Sequence, residues 1–177
     1  YYYGHESVCG EGSTIDSAKD IIAQLPNIFS EFKISSLLDV GCGDFNWMRF
    51  VDISNIEYEG WDYNKILIDN NNVTYPNLKF LYKDAVESTP YKFDAILCRD
   101  VIFHLSFENA IKLINNFKIS GSKYLISTSF PDVNVNVDLT DVEKNRELGF
   151  RKINLSLPPY NMGEPLYSFV ETAPVCG

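Results

Sequence analysis

The sequence predicts an α/β fold, a doubly wound and mostly parallel sheet of seven strands that ends in a C-terminal antiparallel hairpin. Three observations lead there. Short apolar runs alternate with stretches of helical period. The runs are almost continuously apolar, as expected for strands covered on both faces. The first run breaks into a glycine turn, "LLDVGCGDFNW", at the place where such sheets present a ligand loop.

Taken in order, the first element is a helix over "STIDSAKDIIAQL", residues 13–25, with Ser13 as cap, Asp16 near the positive helix end and Pro26 as the stop. It belongs to an N-terminal helical segment, residues 1–34, expected to cover the site within a single domain spanning 1–177. Strands are predicted at 36–40, 57–62, 78–85, 93–98 and 123–130. A short helix falls near 46–51 and another over "NKILIDNN". After the fourth strand, Ser106 caps "FENAIKLINNFKI", with Glu108 in its first turn and Gly121 just past its end. Phe107, Ala110, Ile111, Ile114 and Phe117 form its apolar stripe. The tail differs: "FRKINLSL" (150–157) and "LYSFVET" (166–172) are joined by the turn-rich "PPYNMGEP", too short for a crossover helix, and are expected to pair as a hairpin. Residues 131–149 read either as loop or as a helix opened by a Thr140–Glu143 capping box.

Composition narrows the function. The chain has 177 residues, 45% of them hydrophobic, enough for one packed core. A net charge of −9, with Arg151–Lys152 the only adjacent basic pair, argues against a phosphate-backbone partner, so no nucleic acid is expected. No apolar run reaches the ~18 residues of a membrane span, and the N-terminus lacks a secretory pattern, so the expectation is a cytoplasmic monomer or homodimer with no membrane partner. The sequence begins on Tyr1 instead of Met, as in a chain trimmed at its start. Four scattered cysteines without a C-x-x-C pair and two distant histidines predict no metal site.

The glycine turn carries the functional signal. Gly41 and Gly43 allow a tight turn and close approach to a ligand. Asp62, at the end of the second strand and 21 residues after Gly41, is placed to grip a ribose diol, and Asp84 ends the third strand beside a base. A nicotinamide dinucleotide would suit this pattern, but Phe45 stands where the third glycine of a pyrophosphate loop belongs. An adenosine cofactor without a pyrophosphate, such as S-adenosylmethionine (SAM), fits better.

The motifs "LLDVGCGDFNW", "EGWD", "YKDA" and "FDAILCRDVIFHLS" resemble those of the Rossmann-like class I SAM-dependent methyltransferases. More narrowly, "GEGST", "CGDFNWM", "CRDVIFHLS", "NFKISGSKYLISTSFP" and "NLSLPPYN" are similar to small bacterial methyltransferases of surface-glycan and capsule modification, including O-methyl phosphoramidate pathways. The resemblance implies SAM as cofactor and S-adenosylhomocysteine as product. It assigns Asp39, Gly41 and Gly43 to the glycine-rich motif, Asp62 to the ribose, and Asp84 with Ala85 to the adenine. Cys42, Trp47, Tyr63 and Arg99 join them as candidate cofactor contacts, with Trp47 and Phe45 also suited to the core.

Methyl transfer to an alcohol also needs a base. "CRDVIFHLS" offers His104, with Asp100 to orient the site or its proton, although His104 reads equally as a structural residue and Asp100 as a helix cap. Arg99, Arg151 and Tyr160 are candidate contacts to a small, polar, anionic acceptor, such as a nucleotide-activated sugar or a phosphoryl or phosphoramidate capsule precursor. A non-catalytic SAM-binding scaffold and an NAD-dependent reductase stay open as alternatives.

Overall fold

The computed structural model describes residues 6–140 and 149–172. The chain divides into two compact units, residues 1–83 with 169–177, and residues 84–168.

The first unit begins with α1 (Ile15–Phe32), which differs from expectation at both ends. Its cap is Thr14, whose hydroxyl accepts from the Ser17 amide, while Ser13 lies in a preceding 3-10 turn. Pro26 does not stop it. An internal proline costs a helix ~3 kcal/mol, but Leu25, Ile28 and Phe29 are all buried, and each contributes ~1.5–3 kcal/mol. The helix ends about two turns later, at Lys33 in the left-handed region.

Next come β1 (Ser36–Val40), a 3-10 turn at Met48–Phe50, β2 (Glu57–Asp62), α2 (Lys65–Thr74, capped by Asn64) and β3 (Lys79–Tyr82). β1 pairs in parallel with β2, and β2 with β3. Asp39 stands opposite Gly60, and Gly60 opposite Phe80. Gly60 is needed there because a Cβ would lie 2.7 Å from the Phe80 ring and 3.0 Å from the Cys42 sulfur.

The second unit carries β4 (Ala95–Cys98), a 3-10 turn at Ile102–His104, α3 (Phe107–Ser120) and β5 (Tyr124–Ser127), with β4 and β5 parallel. Ser106 caps α3 and Gly121 closes it, as predicted. Its buried face is Ala110, Leu113, Ile114 and Phe117; Phe107 and Ile111 are only half-buried. The sheet has five strands, in the order β3-β2-β1-β4-β5.

The expected sixth and seventh strands do not form among the described residues, so the sheet is not seven-stranded and shows no C-terminal hairpin. Side chains take over the backbone groups that a ladder would have used. The Asn154 amide donates to the Asn136 side chain, the Leu155 amide donates to the Ser129 hydroxyl, and Asn136 Nδ2 donates to the carbonyls of Asn154 and Pro158. Leu166 and Val170, in the other expected strand, are each 81% exposed, and Thr172 bonds to Asp20 instead. In the Thr140–Glu143 capping box, Glu143 lies outside the described residues.

The third glycine of a G-x-G-x-x-G loop, counted from Gly41, falls on Asn46 and not, as expected, on Phe45. Phe45 has φ 58, so its backbone still adopts the left-handed conformation that a glycine would take without strain, at a cost of ~1–2 kcal/mol. The ring repays that cost. It is 2% exposed and packs against Tyr58, Tyr75 and Phe80 at centroid distances of 5.4, 4.9 and 5.3 Å. Phe45→Ala is therefore expected to lose about 3–5 kcal/mol in denaturant unfolding. Phe45→Gly should lose about 1 kcal/mol less, because it relieves the backbone. Equal losses would show that the strain is not felt.

Candidate functional site

In the first unit the glycine turn hangs from the end of β2. The amides of Gly41 and Cys42 both donate to the Trp61 carbonyl, at 2.8 and 3.1 Å. Gly43, at φ 55, donates to Asp62 Oδ2 at 3.0 Å, and its carbonyl accepts from the buried Asn71 side chain at 2.8 Å. Asp62 Oδ1 takes the Asn64 amide at 2.8 Å. Asp62 is thus a hinge pin for the turn as well as a ligand candidate. Burial raises its pKa against the pull of these amide donors.

The other predicted residues of this unit fall into two sets. Asp39 is buried and accepts from the Tyr58 hydroxyl at 2.8 Å, so one of its oxygens serves the core. Cys42 and Trp47 are buried as well, and Cys42 fills the space over Gly60. Burial, aided by Asp39 and Asp62, pushes the Cys42 thiol well up, so it is a packing group and not a thiolate. Tyr63, by contrast, is 73% exposed at the end of β2.

Sequence reasoning missed how the N-terminal segment meets the turn. Asp44 accepts from the Ser7 hydroxyl and the Val8 amide at 2.8 and 2.9 Å, and its own amide donates to the Cys9 sulfur. Asn46 donates to Glu6 and to the Ser13 carbonyl. A Cβ on Gly43 would lie 2.7 Å from the Cys9 sulfur. The paired polar residues in "GDFN" were the available signal: they hold this strap.

In the second unit Asp84 is exposed and Ala85 buried, and the carbonyls of Ala85 and Val86 are tied to Asn116. After β4, Arg99 and Asp100 form an ion pair at 3.0 Å; the Arg99 side chain is 7% exposed and that of Asp100 is 28%. Asp100 has φ 56, a strained backbone for a residue with a side chain.

His104 ends the following turn, with Nδ1 2.7 Å from the Gly149 carbonyl. A carbonyl only accepts, so Nδ1 carries the proton and Nε2 keeps its lone pair. Burial lowers the His104 pKa below its ordinary 6.5; the Gly149 hydrogen bond and the Asp100 charge oppose this, and Arg151 adds to it.

Arg151 and Tyr160 are brought together, but inward. Arg151 is 11% exposed, donates to Tyr160 Oη at 3.2 Å and to the Phe103 carbonyl at 3.3 Å, faces Asp138 at 3.9 Å and lies over the Phe107 ring. Tyr160 is buried. Both brace the turn that carries His104. Among the described residues no cluster of three His, Cys, Asp or Glu groups is arranged to hold a metal ion, and no helix is long and apolar enough to cross a membrane.

The His104 geometry sets its titration. At pH 7.5, nitrogen-15 NMR should find the ring proton on Nδ1, with a midpoint below 6.5. The unfolded chain then binds this proton first as pH falls. Stability is lost from about pH 6.5 down to the folded midpoint. Denaturant midpoints at pH 7.5 and 5.5 should therefore fall less in His104→Gln than in the wild type. A ring protonated on Nε2 would contradict this assignment.

No family model and no curated protein matches the sequence. Solved structures do. Magnesium protoporphyrin IX methyltransferase from Synechocystis PCC 6803, with bound S-adenosylhomocysteine, has a TM-score of 0.54 at 17% identity over 67% of this chain and 56% of that one. The methyltransferase domain of bacterial CtHen1 has a TM-score of 0.54 at 14% identity over 62% and 64%. Streptomyces venezuelae DesVI has a TM-score of 0.52 at 19% identity over 70% and 60%. The chain therefore spans less than two thirds of the length of each of these proteins. At these identities the likeness is one of fold, and the fold is the Rossmann-like α/β fold with a parallel sheet found in SAM-dependent methyltransferases.

Proposed function

We propose that the chain binds SAM and transfers its methyl group to an oxygen of a small polar acceptor. The observation that carries this reading is the clamp between Gly43 and Asp62 at the end of β2. Asp62 already takes the amides of Gly43, Asn64 and Tyr63, yet a carboxylate offers about four accepting positions, which leaves room for a ribose hydroxyl. The close backbone at Gly41 and Gly43 suits the amino-acid end of the cofactor. Exposed Tyr63 and the Asp84–Ala85 pair suit the adenine, whereas Cys42 and Trp47 support the turn from the core. Counted from Gly41, the third glycine of a G-x-G-x-x-G pyrophosphate loop falls on Asn46, and its absence there disfavours a nicotinamide dinucleotide.

When bound, the sulfonium supplies an electrophilic methyl. The protein must align an acceptor, exclude water and, for an alcohol, remove a proton. His104 Nε2 is the group assigned to that proton, and the nearby Asp100 carboxylate favours the imidazolium that results. Arg99 and Arg151 are the candidate contacts for an anionic acceptor. Each already faces an internal carboxylate, Asp100 or Asp138, so an acceptor phosphate would have to share the fork with it. The acceptor class we favour is a hydroxyl-bearing, nucleotide-activated sugar, with phosphoryl or phosphoramidate capsule precursors as its anionic counterpart.

Calorimetry on the purified chain should show binding of SAM and S-adenosylhomocysteine. Asp62→Ala should weaken it roughly ten- to hundredfold, through loss of charge-assisted hydrogen bonds of ~1.5–3 kcal/mol. Tight NADH binding without SAM binding would overturn the reading. With a hydroxyl acceptor, His104→Ala should slow turnover ~10²–10⁴-fold and leave cofactor affinity unchanged. With an ionised phosphoryl acceptor it should matter much less. SAM binding without turnover across nucleotide sugars and phosphorylated precursors would favour a scaffold.

A further inference from the structure

The loop after β4 is strained at Asp100, and the group that holds it there is not in the loop. Thr128 follows directly after β5. Its hydroxyl donates to Asp100 Oδ1 at 2.7 Å and accepts from the Asp100 amide at 3.1 Å. One hydroxyl therefore fixes both the backbone and the side chain of a residue at φ 56. The second carboxylate oxygen, Oδ2, is held by Arg99 at 3.0 Å. With both oxygens tied, the carboxylate has a single orientation.

The neighbouring residues do different work. Ser127 donates to the Cys98 carbonyl, and Ser129 accepts from the Leu155 amide. Those bonds join backbone segments, and a structural role accounts for them. Thr128 alone of the three engages a charged side chain of the candidate site. A left-handed aspartate is strained and persists where its surroundings over-determine it. The two-way bond supplies that determination.

We infer that Thr128 is a positioning residue of the proposed methyl-transfer site, holding the Asp100 carboxylate in its single orientation. This rests on the proposed base role of His104. The charged groups bearing on the imidazole are Asp100 from the loop after β4 and Arg151 from the stretch beyond Gly149, whose carbonyl holds Nδ1. Asp100 attracts the proton and Arg151 repels it, so loosening the Asp100 carboxylate, with Arg99 its remaining tie, weakens its opposition to Arg151 and burial.

The test needs no acceptor. NMR titration of the His104 ring in the full chain would compare wild type, Thr128→Ser, Thr128→Val and Thr128→Ala. Serine keeps the hydroxyl and should keep the wild-type midpoint. Valine keeps the volume and alanine adds none, but both lose the two hydrogen bonds, so either should lower the midpoint. The alanine variant serves where valine, by stranding the Asp100 amide, fails to fold. Asp100→Asn, which removes the charge directly, should give a shift of the same sign. A wild-type midpoint in folded Thr128→Ala or Thr128→Val would overturn the inference, as would a serine variant that shifts as far as alanine. SAM calorimetry on the same samples separates the two ideas. Absent SAM binding in the wild type defeats the methyltransferase reading, whereas an unmoved His104 midpoint defeats the role of Thr128.

Discussion

The turn after β1 is the constraint on which the first unit depends. In five residues the chain must place Gly41, Gly43 and Phe45 at φ 79, 55 and 58, a run of left-handed conformations that an ordinary sequence avoids. It is held from three sides: by the Trp61 carbonyl and Asp62 carboxylate of β2, by Asn71 of α2, and by the strap at residues 6–9. Phe45 then converts a backbone liability into an aromatic core contact. The turn proposed to receive the cofactor is thus part of the hydrophobic core.

In the second unit, hydroxyl and amide side chains take the place of a longer ladder. Ser127, Thr128 and Ser129 each tie a different neighbour, and Asn136 with Asn154 fastens the stretch that follows Gly149. Such local bonds compete with strand pairing. The segment expected to be a strand accordingly becomes a turn-rich brace, whose Arg151 donates to the Phe103 carbonyl and to the hydroxyl of Tyr160 beyond it.

Several buried charges among the described residues follow one rule, although Arg151 Nε is buried without a hydrogen-bond partner. Glu59 is matched by Lys79 and the Trp61 indole, Asp39 by the Tyr58 hydroxyl, and Arg99 by Asp100. Leaving such groups unmatched would cost more than the pairs contribute, so each carboxylate or guanidinium recruited inward acquires a partner. This has a functional consequence. The arginines that look, in a linear sequence, like free anion receptors are already occupied inside the fold.

The sequence by itself determined the five parallel strands, the caps of α3, and the glycine turn with Asp62, because these are set by local apolar period and by residues with fixed backbone preferences. Only the tertiary structure decided the rest. The passage of α1 through Pro26 turned on the burial of Leu25, Ile28 and Phe29, the left-handed Phe45 on a cluster of distant aromatics, and the missing hairpin on Asn136 and Ser129. The link from Thr128 to Asp100 spans 28 residues, and that from His104 to Gly149 spans 45. No local pattern encodes such bonds; they exist because folding brings one donor and one acceptor together out of water, where leaving either unpaired is costly.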